Sequence, residues 1–218
     1  MAPEPPPERA TTRRILYFAD PMCSWCYGFG PVLAEILRLS AGIVPVRLCV
    51  GGLRAFATRA MDEKTKAYVR HHWQEVEAAT GQPFDHAFFE RDGFVYDTEP
   101  ACRAAVAMRN LVPAAGFAYF TAVQRAFYAE NRDVTREDVL AEIAAAHGAE
   151  PSDFVVVFRA PEVAEATRAD FHLSQSLGIA GFPTVLLQDA TRLTALTAGY
   201  QPFANLEEPL RRWLAGEA

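Results

Sequence analysis

Sheet-forming stretches sit only near the two ends of this chain. About a hundred helical residues lie between them, too many for a loop inside a compact domain. Ile15 to Ala19 is an unbroken apolar run, as in strands buried on both faces. Val32, Leu33, Ile36, Leu37 and Leu39 then recur at helical spacing, and Gly42 closes that helix. Val44, Val46, Leu48 and Val50 alternate with Pro45, Arg47 and Cys49, which predicts a second strand. Towards the other end, residues 161–178 predict a helix and Thr184 to Leu187 a strand. Residues 188–192 predict a turn, 193–199 another strand and 206–216 a closing helix ending at Gly216. A turn that short makes the last two strands an antiparallel hairpin.

The intervening block has a different period. Residues 66–81 predict a helix stopped by Gly81, and Thr98 caps a second one running through TEPACRAAVAMRNL. Phe117, Phe120, Val123 and Phe127 share one face of a third, a stripe that reads as core. Thr135 is the expected N-cap of a fourth, with Asp138 in a weaker form of the capping box. No strand is expected between Met61 and Gly148. With the block removed, the order βαβ…αββα is that of a thioredoxin fold. The expected class is therefore α/β: a thioredoxin-like domain over 13–56 and 161–218, and an all-helical insertion over 57–160.

Between the first strand and the first helix stands DPMCSWCYGFGP, Asp20 to Pro31, holding two of the four cysteines of the 218-residue chain. Four cysteines are too few for a disulfide scaffold, and a CxxC loop constrains an unfolded chain little. Structural zinc takes four ligands in clustered pairs, whereas Cys49 and Cys102 stand alone and no second CxxC occurs, so no metal is expected. A redox pair remains. Thiolate is the reactive form of cysteine, and a helix N-terminus favours it through unpaired N–H groups and the helix dipole. Cys23, at the first turn, is the expected nucleophile. Cys26, one turn further in, is the expected resolving thiol. Pro31 has two readings, a kink within one helix or the first turn of a helix that begins there.

Composition excludes other classes. The net charge is −6 with no basic stripe, which argues against nucleic acid, and no run of eighteen apolar residues is present to span a membrane. The opening MAPEPPPERATTRR has no apolar segment of signal-peptide type. Its prolines Pro3, Pro5, Pro6 and Pro7 suggest a mobile tail over 1–12. A cytoplasmic location is the expectation, and structural disulfides are rare there.

DPMCSWCYGFGP resembles the cytoplasmic, FrnE-like branch of the DsbA-type thiol–disulfide oxidoreductases. The resemblance continues through VGGLR (50–54), YDTEPACRAAVAMR (96–109), GIAGFPTVLL (178–187) and AGYQP (198–202). It implies a thioredoxin fold with a helical insertion, a catalytic pair at Cys23 and Cys26, and no cofactor beyond that pair. It also implies that Pro183 is a cis-proline opposite the thiols, with the backbone of Phe182 pairing with a substrate segment. The implied activity is disulfide oxidoreduction or isomerisation of protein substrates, with glutathione allowed as reductant or mixed-disulfide partner. The central dipeptide is Ser24-Trp25, without histidine, so the strong oxidant character of periplasmic DsbA is not carried over.

Several residues carry two readings. Asp20 either moves protons for the thiols or starts a turn with Pro21. Trp25, between the thiols, is expected to be exposed and to contact substrate. Cys102 is either a third thiol near the site or, preferably, a small buried hydrophobe, as is Cys49. His71 and His72 diverge on a helix and are expected to pack or lie on the surface. Two rival functions stand beside the exchange enzyme. One is a glutathione-dependent transferase or isomerase of the kappa-class or hydroxychromene-carboxylate isomerase type. The other is a non-enzymatic, client-binding holdase.

Overall fold

The structure is a computed structural model that describes residues 13–190 and 192–217, so the tail expected over 1–12 lies outside the described residues. Its sheet has the order β2-β1-β3-β4, with β1 Arg14–Ala19, β2 Val46–Val50, β3 Thr184–Asp189 and β4 Arg192–Ala198. β1 pairs in parallel with β2 and antiparallel with β3, and β3 and β4 form the antiparallel hairpin. This is the thioredoxin arrangement. The hairpin is tighter than the sequence suggests. β3 continues through Asp189, β4 begins at Arg192, and Ala190 takes a positive φ of 50° to turn the chain.

β1 is central because it is apolar on both sides. Ile15, Tyr17 and Ala19 enter the larger core, while Leu16 and Phe18 join Cys49 and Leu186 in a second cluster under Leu173 and Leu177. Between β2 and β3 run α3 Glu63–Thr80, α4 Glu99–Leu111, α5 Gly116–Tyr128, α6 Glu137–Ala145, α7 Pro151–Arg159 and α8 Pro161–Ser176. Asp62 caps α3 by accepting from Thr65 N–H at 2.8 Å, and Gly81 closes it at φ 71°. The predicted phenylalanine stripe is core: Phe120, Val123 and Phe127 are buried on α5.

Two local expectations fail for stated reasons, and the two readings of Pro31 are resolved. Thr135 is not the cap of α6. Its N–H and hydroxyl both bond Asp133, and Asp138 pairs with Arg136. Thr98 occupies the cap position of α4, but its hydroxyl accepts from Arg54 N–H at 3.2 Å rather than capping the helix. Of the two readings of Pro31, the structure bears out the second, a helix that begins there, with a short extra helix preceding it. A short α1, Ser24–Gly28, ends at Phe29, and α2, Gly30–Ser40, restarts with Pro31 in its first turn.

A buried carboxylate ties α4 and α8 to β2. Asp170, 1 % exposed, accepts from Arg109 at 2.7 Å and Arg47 at 3.0 Å, and Arg109 also donates to the Leu48 carbonyl at 2.7 Å. The Arg109 side chain is 26 % exposed and that of Arg47 42 %. Removing the more buried partner leaves Asp170 under-compensated. Arg109→Met should therefore lower unfolding stability by about 3 kcal/mol, and Arg47→Met by about 1 kcal/mol. Urea midpoints check this ordering, and equal small losses would contradict it.

Candidate active site

The register of the sheet brings Cys23 and Phe182 together across 159 positions of sequence. Phe18 on β1 faces Thr184 on β3, so the residues just beyond Ala19 and just before Thr184 emerge side by side. The Phe182–Pro183 peptide is cis and leads into β3. The Cys23 thiol donates to the Phe182 carbonyl at 3.6 Å. Cys23 itself is the N-cap of α1, with extended backbone, and its carbonyl accepts from Tyr27 N–H at 3.0 Å.

The two thiols are unequal. Both are unbonded, and Cys26 is fully buried whereas Cys23 is 5 % exposed and lines a cavity of about 550 Å³. Burial, and then the adjacent Cys23 thiol, push Cys26 well above the usual thiol range, while the Asp20 backbone N–H pulls the other way. The open thiol is thus placed to meet a ligand, and the closed one can meet only Cys23. The half-buried Trp25 lies against Tyr200 with ring centroids 5.7 Å apart and lines the same cavity.

Asp20 has no exposed surface. Its Oδ1 accepts from Met22 N–H at 2.8 Å, and its Oδ2 from Leu53 N–H at 2.7 Å and from the Cys102 thiol at 3.4 Å. Burial raises its pKa against the opposing pull of those donors. The turn reading of Asp20 is thus visible, in an Asx turn at the head of the CxxC segment. Cys102 is buried, and burial followed by Asp20 pushes its thiol far up; Cys49 is pushed up to about 12, mainly by burial. Neither lines the cavity that holds Cys23.

Most of the cavity wall escaped the sequence reading. Leu53 and Arg54 follow β2, Tyr68, His72 and Trp73 come from α3, and Tyr96 precedes α4. His72 was expected only to pack or lie on the surface. Arg54 and Tyr96 lie inside quoted segments, VGGLR and YDTEPACRAAVAMR, so a signal was present without a role. Tyr96 fixes the wall by donating to the Met22 carbonyl at 2.7 Å.

The DSBA-like thioredoxin domain matches residues 14–211. The chain belongs to that family. Among solved structures it is 36 % identical to a candidate protein disulfide isomerase from Nitrosomonas europaea, with a TM-score of 0.89, covering 95 % of this chain and 100 % of that one. It is 28 % identical to the cytosolic disulfide reductase DsbM from Pseudomonas aeruginosa, with a TM-score of 0.74, covering 94 % and 98 %. Among curated proteins it is 23 % identical, over 174 residues and 78 % of this chain, to the ClpXP adapter protein SpxH of Halalkalibacterium halodurans. It spans 56 % to 63 % of the length of the curated relatives it matches. The DsbM neighbour is a disulfide reductase, whereas the curated relatives are adapter proteins.

Gly51 sets how closely the Phe182 ring can approach β2. A Cβ at Gly51 would stand 2.1 Å from Phe182 Cζ, an overlap that the ring must move to relieve. Gly51→Ala should destabilise by about 1–3 kcal/mol through overpacking, and most of that loss should vanish in a Phe182→Ala background. A double-mutant cycle by urea unfolding reads the coupling. Full additivity would mean that Gly51 acts on something other than Phe182.

Proposed function

We propose that this protein reduces or isomerises disulfides through a dithiol in which Cys23 attacks and Cys26 resolves. The observation that carries the reading is the inequality of the thiols, one lining a cavity and the other sealed behind it. The Cys23 thiolate attacks one sulfur of a substrate disulfide, forming a mixed disulfide and expelling the other sulfur as a thiolate that solvent protonates. Cys26, once deprotonated, attacks the Cys23 sulfur. The retained substrate thiol leaves reduced, and the Cys23–Cys26 disulfide forms. An external thiol then returns the enzyme to the dithiol. In isomerisation the displaced substrate thiol attacks the mixed disulfide instead, and no net electrons are exchanged.

Burial, with the adjacent Cys23 thiol adding to it, favours the protonated form of Cys26 in the resting dithiol. Asp20, whose charge already acts on Cys26, is the nearby carboxylate suited to accept the Cys26 proton in the second step. Phe182 offers the backbone beside Cys23 for strand addition by a peptide substrate, next to Pro183 and Trp25. Net reduction in the cytoplasm is favoured, because a reducing thiol pool keeps such pairs reduced and the DsbM neighbour is a cytosolic reductase. That neighbour has also been solved with GSH, which supports glutathione as a reductant or mixed-disulfide partner here.

Cys26→Ser should attack substrate and stall, accumulating a covalent adduct that dithiothreitol releases. Cys23→Ser should capture little, and Cys49→Ser and Cys102→Ser should reduce insulin disulfides at near wild-type rates. Non-reducing gels and intact mass read the adducts. Equal trapping by Cys23→Ser would reverse the assigned roles. Undiminished turnover by Cys26→Ser with glutathione would favour the transferase reading. Undiminished client binding by a variant lacking both thiols, with no turnover by the wild type, would favour an adapter or holdase.

A further inference from the structure

Arg54 faces the same cavity as Cys23 but belongs to no ion pair among the described residues. Its counterparts differ: Arg47 and Arg109 hold Asp170, and Arg103 holds Glu99. The Arg54 guanidinium instead lies over the Tyr96 ring, 5.2 Å from its centroid. Nearby carboxylates are already committed to backbone donors. Asp97 Oδ1 accepts from Phe56 and Glu99 N–H groups, Asp62 caps α3, and Asp20 serves Met22 and Leu53. The other basic side chain in the cavity wall, His72, is bonded to Glu75 at 2.8 Å.

The backbone that carries Arg54 is fixed. Leu53 N–H is held by the buried Asp20 and Arg54 N–H by Thr98. The guanidinium therefore rests on an aromatic face, half-buried, with its donors not taken up by a protein carboxylate. Such a group recognises a planar anion with paired oxygens, and a carboxylate matches it. Around it Trp25, Tyr68, Trp73 and Phe182 supply apolar wall. A cavity of about 550 Å³ is within the range that encloses a small ligand. Because Cys23 shows only 5 % of its surface, the cavity suits a slender, low-molecular-weight disulfide better than one on the face of a folded protein.

We infer that Arg54 is a specificity-determining residue that binds a free carboxylate of a glutathione-class thiol while Cys23 forms the mixed disulfide with its sulfur. The inference rests on the exchange reading above and names its substrate class. With R–S–S–G, where G is the glutathionyl group, the Cys23 thiolate attacks the glutathionyl sulfur and RS⁻ departs to be protonated by solvent. Cys23–S–S–G is held with its carboxylate on Arg54. Cys26 then attacks Cys23, glutathione leaves as its thiolate, and the Cys23–Cys26 disulfide retains the two-electron oxidation. Two molecules of a small thiol such as glutathione reduce it, leaving one glutathione disulfide.

The test uses full-length protein and 2-pyridyl mixed disulfides of glutathione, glutathione diethyl ester and cysteamine, with release of pyridine-2-thione followed by absorbance. The wild type should half-saturate with the glutathione compound at a concentration at least about tenfold below that for the diester. Arg54→Gln should bring the acid to the level of the diester through KM more than kcat, and Arg54→Lys should retain part of the difference. Arg54→Gln that slows acid and diester equally, or changes neither, overturns the inference. So does an effect confined to insulin reduction, which would assign the carboxylate to protein substrates. Calorimetry with S-methylglutathione, which cannot exchange, separates the two readings. Binding weakened about tenfold by Arg54→Gln upholds the Arg54 contact even if no substrate turns over, and unchanged binding refutes it even if exchange proceeds.

Discussion

The buried carboxylate of Asp20 holds the site together. One side chain with no exposed surface accepts hydrogen bonds from the turn before Cys23, from the loop after β2 and from Cys102 on α4. These segments belong to the sheet and to the helical block, and this one side chain joins them. An unsatisfied carboxylate in that position would be expensive, so its donors have to be present for the chain to fold there. The consequence is geometric: the CxxC turn and the Arg54 loop are pinned to one point, and the cavity between them has fixed walls.

Chemistry follows from how that point divides the thiols. Cys23 lies on the cavity side of the turn beside Phe182. Cys26 belongs with it to the main hydrophobic cluster but does not line the cavity. Burial favours the protonated form of the Cys26 thiol. The aromatic residues of α3 and the segment leading to α4 close the far side of the cavity, which makes the helical block part of the site rather than a separate appendage.

Much of this was legible in the sequence. The unbroken apolar run at Ile15 to Ala19 fits a strand buried on both sides, and the CxxC after it marks the candidate site. Phe182 and Pro183 were found through resemblance; their approach to Cys23 depends on the β1–β3 register, which periodicity does not encode. Arg54 and Tyr96 lay in conspicuous segments, but their shared role appears only once α3 and the loop after β2 stand opposite each other. Local chemistry misled where tertiary donors competed. Thr98 looks like a cap, yet its hydroxyl is taken by Arg54 N–H, and Thr135 is bound by Asp133. The helix α7, Pro151–Arg159, was not anticipated from its mixed pattern, although its Pro151 sits in the first turn as helix starts favour.

The central claim is that cavity access at a helix N-terminus makes one thiol of four the reactive one. It is tested most directly by timed alkylation of the fully reduced, native protein with iodoacetamide, followed by peptide mass mapping. The account predicts a single fast site at Cys23, with Cys26, Cys49 and Cys102 modified only as the protein unfolds. Alkylation of Cys26 or Cys102 as fast as that of Cys23 would contradict it.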